Sequence, residues 1–175
     1  MNKLAIALSA ALSLGAAASA NAADATINFN GKITALTCTI GAGTATGTSV
    51  ALPELTTSSI NSGAANRQTA FNLVMGTTAE PCAAGTVKLQ FKNSDTTTDG
   101  MLANTAGTTP AGGVALVILN GSTAIDLTKD TLDHTFDATN NTKTWPLTAS
   151  YEQEVAGTDV TAGNFSADLV VDVTF

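Results

Sequence analysis

Apolar and polar residues alternate along much of the chain with a period of two, and beyond the first 22 residues no 3.6-residue apolar period is sustained. The pattern predicts strands rather than helices. Ile27, Phe29 and then Ile33 to Ile40 form a first strand region, leading through Cys38. Phe71 to Met75 is a second, and Val87 to Phe91, closed by Lys92, a third. Val114 to Leu119 is a near-continuous apolar run, as expected of a central strand buried on both faces. Asn120-Gly121 marks a tight hairpin, with Thr123 to Leu127 as its return strand. Trp145 to Tyr151 follows, with Pro146 near its start, and Phe165 to Phe175 is the last strand. Gly41 to Ser49, Asn93 to Gly100 and Asn104 to Gly113 read as turns, and Ser58 to Gln68 as a place for a helical turn. Seven or more short strands at this spacing predict an all-β, immunoglobulin-like sandwich. No repeat or linker divides it, so one domain is expected.

The first 22 residues break this pattern. Lys3 precedes an apolar stretch from Leu4 to Leu14, and small residues from Gly15 to Ala22 follow. This is the layout of a secretory signal peptide, and its apolar part is too short to span a ~30 Å hydrocarbon layer. An N-terminal membrane anchor is the competing reading. Cleavage after Ala20 or Ala22 fits, and Ala22 is favoured, giving 1–22 as signal and 23–175 as the exported domain. No later segment is apolar and long enough to span a membrane, so the mature chain is expected to carry no span. Export bears on the two cysteines. Outside the reducing cytosol, Cys38 and Cys82 are expected to form one disulfide, closing a loop of about 44 residues worth ~4 kcal/mol in the chain-entropy model. A zinc site or a nucleophilic cysteine is the alternative, and both are weak with a single histidine, His134, in the chain.

Charge narrows the function. The chain holds seven Lys and Arg against fourteen Asp and Glu, a formal charge of -7. Without Lys3 there are six cations, and the charge becomes -8. Such a chain lacks the clustered cations that nucleic acid requires, so no nucleic-acid partner is expected. Charged residues are only 12% of the total, against roughly 25% in an average soluble domain. Thr, Ser, Asn and Gly must therefore clothe the surface. With 44% hydrophobic residues it is not a disordered acidic tail.

Candidate chemistry is sparse. Asp130, Asp133, His134 and Asp137 are the one ligand-like cluster, better read as a solvated loop or strand end. Asp95-Thr96-Thr97-Thr98-Asp99-Gly100 resembles the opening of a calcium loop, but Thr97 and Ala106 stand where ligands are needed. Gly41 to Gly47 has no following Lys, and no Gly-x-Ser-x-Gly elbow occurs. No enzyme, metal or cofactor is expected. Trp145 and Tyr151 could stack on sugars, although their strand placement favours the core. Three Asn-x-Ser/Thr triplets, at Asn120, Asn140 and Asn164, read as chance matches in a Thr-rich chain.

The two ends carry the most information. In the last segment Gly163, Phe165, Ala167, Leu169, Val171, Val173 and Phe175 share one parity, and polar residues dominate the other. A sandwich strand expects a neighbour on each flank, and no downstream strand is at hand. Either an earlier strand completes the sheet, or the edge is bare. At the mature start Ala23, Ala25, Ile27 and Phe29 likewise share a face. A chain with a free strand at one end and a bare edge at the other can polymerise head to tail by β-strand addition, and need not close into a ring. Until then the edge invites aggregation and calls for a protecting partner.

At this point the sequence resembles the type 1 fimbrial protein family, the major pilins of chaperone–usher fimbriae. The likeness spans nearly all of the mature chain. It rests on Phe29-Asn30-Gly31-Lys32-Ile33 leading to Cys38, on Cys82 before a strand, on Gly113 to Leu119 and on Trp145 to Tyr151. Its most specific element is a glycine followed twelve residues later by an aromatic, here Gly163 and Phe175. The family's aromatic is usually penultimate, whereas Phe175 is the last residue. The resemblance implies an incomplete immunoglobulin-like sandwich lacking its last strand, completed by a donor strand. It implies a periplasmic chaperone that lends a strand beside Leu169, Val171, Val173 and Phe175, an outer-membrane usher, and neighbouring subunits whose residues 23–29 replace the chaperone. The Cys38–Cys82 disulfide has its counterpart in the family. The expected function is a structural subunit of a surface fibre for cell adhesion. Only Ala23 to Asn28 precede Phe29, short for a donor strand, so a minor adaptor or terminator subunit is an alternative. The other alternative is a complete sandwich that binds carbohydrate.

Overall fold

Nine strands and one short helix build the described part of the chain, a computed structural model that describes Cys38, Ile40–Ala42 and residues 49–175. The expected signal peptide, the extension at 23–29 and most of the first strand region lie outside the described residues. β1 (Ile40–Ala42) pairs antiparallel with β2 (Gln68–Met75). Between them lie α1 (Thr57–Asn61) and a 3-10 turn (Ala65–Arg67), which together occupy the place expected for a helical turn. Thr56 caps α1 by accepting a hydrogen bond from the Ser59 N–H at 3.3 Å. β3 (Gly85–Phe91), β4 (Leu102–Ala103), β5 (Val114–Asn120) and β6 (Thr123–Ile125) follow. β7 (Thr131–Phe136), β8 (Lys143–Gln153) and β9 (Val171–Thr174) complete the set.

The strands form two antiparallel sheets. The larger has the order β1-β2-β8-β5-β4, with β6 returning along β5 through a hairpin at Gly121. The smaller has the order β7-β3-β9. Within the larger sheet β8 is central, with β2 on one side and β5 on the other. Pro146 pairs with Asn72 of β2 but lies beyond the stretch covered by β5, which ends at Leu147. Val114 to Ile118 are all buried, as the unbroken apolar run predicts. One hydrophobic core joins the sheets: Leu73, Met75, Trp145 and Leu147 from the larger, Val87, Leu89 and Phe136 from the smaller. The fold is an all-β sandwich.

Cys38 and Cys82 form a disulfide with Cα atoms 4.7 Å apart, tying the chain before β1 to the chain before β3. Gly76 makes this possible. It sits at φ +72, and an added Cβ would lie 2.8 Å from the Cys82 Sγ and 2.9 Å from the Asn141 carbonyl oxygen.

Three elements differ from the sequence reading, the first being β4, two residues long, which lies between two stretches read as turns. β7 falls where a loop or strand end is expected, because β3 offers it a full partner from Gly85 to Gln90. The last strand is regular only over Val171–Thr174, against an expected run from Phe165. Its ladder partner, β3, ends at Phe91, and the preceding residues are extended but bonded to loops. Among the described residues no helix is long and apolar enough to cross a membrane.

Candidate functional site

The segment 163–175 lies along the outer flank of the smaller sheet. Register places Phe91 opposite Val171, Leu89 opposite Val173, Gln90 opposite Asp172 and Lys88 opposite Thr174. Exposure follows parity. Phe165, Ala167, Leu169, Val171 and Val173 are partly buried and pack against the core, whereas Ser166, Asp168, Val170, Asp172 and Thr174 are exposed. None of the five odd residues reaches the near-complete burial of Leu89 or Val87. They form an apolar floor with unfinished cover. Phe175 shares their parity but is 56% exposed, so its ring does not pack with them.

Backbone bonding follows the same parity. The N–H of Lys92 donates to the Val170 carbonyl at 3.0 Å. The N–H of Thr105 donates to the Ser166 carbonyl at 2.8 Å, and that of Ala111 to the Asn164 carbonyl at 2.9 Å. The groups that point toward β3 and toward the loop between β4 and β5 are thus those of the even residues. Hydrogen-bonded and non-hydrogen-bonded pairs alternate in an antiparallel ladder, so Val171 and Val173 face their N–H and C=O groups the other way. Among the described residues, the backbones of Phe165, Ala167 and Leu169 have no hydrogen-bond partner. Among the described residues, the result is a row of open donors and acceptors beside the apolar floor.

At the upstream end the floor opens into a cavity of about 630 Å³, lined by Leu52, Leu55, Ile60, Tyr151, Val160 and Phe165 among others. Phe165 meets Tyr151 edge-on there. Gly163 stands at its rim, where the chain passes so close to the Thr109–Ala111 backbone that a Cβ would lie 2.6 Å from the Thr109 carbonyl oxygen. Glycine is required there for lack of space.

The other sequence candidates are held in local structure. Asp130 accepts from the Asp126 N–H at 2.8 Å, and Asp137 accepts from Thr139 and Asn140, which holds its carboxyl below the usual range. His134 packs edge-on against Phe136 and Trp145, with Asn140 3.2 Å from its Nε2. Among the described residues no three His, Cys, Asp or Glu side chains are grouped to hold a metal. Trp145 and Tyr151 are buried in the core, and burial pushes the Tyr151 phenol up.

The profile of the Fimbrial protein family matches residues 27–175. The chain belongs to this family. It is therefore a structural, non-enzymatic protein and a subunit of surface fimbriae. Curated protein sequences returned no match. Solved structures share the fold. A chain from a chaperone–usher pilus, in a structure addressing rod uncoiling, is 21% identical, with a TM-score of 0.58 over 86% of this chain and 94% of that one. The P pilus rod subunit PapA is 20% identical, with a TM-score of 0.59 over 79% of this chain and 98% of that one.

Two residues of the site lay hidden in the sequence. Asn93 and Asn104, read there as parts of turns, bond directly to the terminal segment. An Asn at the end of a strand pattern is the only signal the sequence carries for either.

Proposed function

We propose that this fimbrial protein is a fibre subunit of a chaperone–usher system, assembled by donor-strand exchange. Residues 1–22 direct export to the periplasm. A chaperone then lends a strand to the open flank of residues 163–175. At the outer-membrane usher, residues 23–29 of the next subunit replace it, placing Ala23, Ala25, Ile27 and Phe29 over the apolar floor. The fibre grows on the cell surface and serves adhesion.

The observation that carries this reading is the coincidence, along 165–173, of half-buried apolar side chains with backbone groups facing an unoccupied flank among the described residues. A donor strand satisfies both at once. Its backbone supplies the missing ladder, and each large apolar side chain it buries contributes ~1.5–3 kcal/mol. The rod subunits that share this fold support a shaft role. The shortness of the segment before Phe29 supports an adaptor or terminator as the second reading.

The test is complementation. Mature chain prepared without a chaperone should be only marginally stable and aggregate as its concentration rises, and a synthetic peptide of residues 23–31 should raise its stability and keep it monomeric. A stable monomer that ignores the peptide would refute the proposal.

A further inference from the structure

Between Asn164 and Val170 the terminal segment has left its ladder partner, yet every odd residue keeps its apolar side chain on the core. Two asparagine side chains stand where a strand would. Asn93 lies two residues beyond the end of β3. Its Nδ2 donates to the Asp168 carbonyl and its Oδ1 accepts from the Val170 N–H at 3.3 Å. One amide thus provides the donor and the acceptor that a strand residue would offer. Asn104 does the same farther upstream. Its Oδ1 accepts from the Ser166 N–H at 3.1 Å and from the Ala106 N–H at 3.1 Å. Its Nδ2 donates to the Asn164 carbonyl at 2.8 Å and to the Ala111 carbonyl at 2.9 Å. A third contact comes from Thr105, whose N–H and hydroxyl both donate to the Ser166 carbonyl.

Every one of these bonds that reaches the terminal segment meets an even residue, Asn164, Ser166, Asp168 or Val170. They fix the parity of the segment, since a slip by one residue would turn Phe165, Ala167 and Leu169 outward and Ser166 and Asp168 inward. We infer that Asn93 and Asn104 are positioning residues for strand exchange: they hold the acceptor segment extended and in register before a donor arrives. This inference rests on the donor-strand reading above and adds the cause of the groove's preorganisation. An extended segment without a ladder would otherwise sample many conformations and would have to be ordered during capture. With the asparagines in place, that ordering is complete before the encounter, so their effect falls on the association rate.

The test uses the refolded mature chain, with its disulfide intact and diluted to prevent self-assembly, and a fluorescent peptide of residues 23–31. Asn93→Leu and Asn104→Leu keep volume and remove the bonds. Each should slow peptide capture about tenfold, the scale of one or two lost hydrogen bonds, and leave peptide release within about twofold of wild type. Asn93→Asp and Asn104→Asp keep one accepting oxygen but turn a second oxygen on the carbonyls that Nδ2 now meets, so they should slow capture at least as much as Leu. Wild-type capture rates in both Leu variants, or an effect confined to release, would overturn the inference and leave the donor-strand reading standing. Failure of the wild-type chain to capture the peptide would overturn that reading and the inference with it. Should the Leu variants not fold, hydrogen exchange in the donor-free wild-type chain decides. The Ser166 and Val170 amides should be protected, and exchange at coil rates would refute the positioning role.

Discussion

Tyr151 of β8 and Phe165 of the terminal segment meet edge-on, ring centroids 5.1 Å apart and planes at 87°. The pair joins the central strand of the larger sheet to the first large apolar side chain of the open flank. Edge-to-face contact adds to simple burial, and the Tyr151 ring is already fixed in the core. Phe165→Ala should therefore weaken the donor-completed subunit by about 2 kcal/mol, less than the ~3–5 kcal/mol of a fully buried phenylalanine, because Phe165 is only partly covered. Urea unfolding of the peptide-completed subunit measures it. A change below about 0.5 kcal/mol would show that the contact contributes nothing.

Parity gives a sharper pair of variants. Val171 lies on the apolar floor, whereas Val170 is 47% exposed on the opposite face. Val171→Asp should abolish fibre assembly, since a carboxylate would be buried under the donor strand without a partner. Val170→Asp, one residue away, should leave fibre levels near wild type. Immunoblots of heat-sheared surface fibres from cells expressing each variant read both outcomes. Equal loss in the two would mean that the face does not matter.

The sandwich is legible in the sequence wherever a strand's own pattern is strong. Val114 to Leu119 announces a buried strand without reference to its neighbours, and the parity of 165–175 is unbroken. β7 is harder to see, because only Leu132 and Phe136 are large and apolar, four residues apart with Asp133 and His134 between them. That spacing suits a loop as well as a strand, and the choice is made by β3, which lies distant in sequence. The same dependence on partners shortens β9. Alternation says which face is apolar, but ladder bonds need a neighbour, and β3 runs out at Phe91. Asn93 and Asn104 take over from there. Their role depends on being brought against residues more than 60 positions away, which no local pattern records.

The disulfide should matter to stability more than to shape. Replacing Cys38 and Cys82 together by Ser removes a cross-link over 44 residues and should lower the stability of the completed subunit by ~4 kcal/mol. Urea denaturation of the double variant against wild type reads this difference. A midpoint unchanged from wild type would contradict it.

Acid sensitivity has a local source in Asp126. Its carboxyl takes a hydrogen bond from Lys129 at 2.6 Å and two from Thr128, which together lower its pKa from 3.8 to about 2. A depressed carboxyl contributes stability above its ordinary value, and that contribution is lost as pH falls from about 4 through about 2. Asp126→Asn should flatten the stability profile within that window, lowering stability near neutral pH and leaving it nearly unchanged below about pH 2. Side-chain carboxyl titration by NMR tests the premise, and an ordinary midpoint of 3.8 for Asp126 would contradict it.

The open flank of the terminal segment is tested most directly by residue-resolved hydrogen exchange, comparing the isolated subunit with the assembled fibre. In the isolated subunit the amides of Phe165, Ala167, Leu169, Val171 and Val173 should exchange rapidly, while those of Ser166 and Val170 are protected. In the fibre both sets should be protected, the odd ones by the donor strand. Odd amides already protected in the isolated subunit, or still exchanging freely in the fibre, would contradict the account.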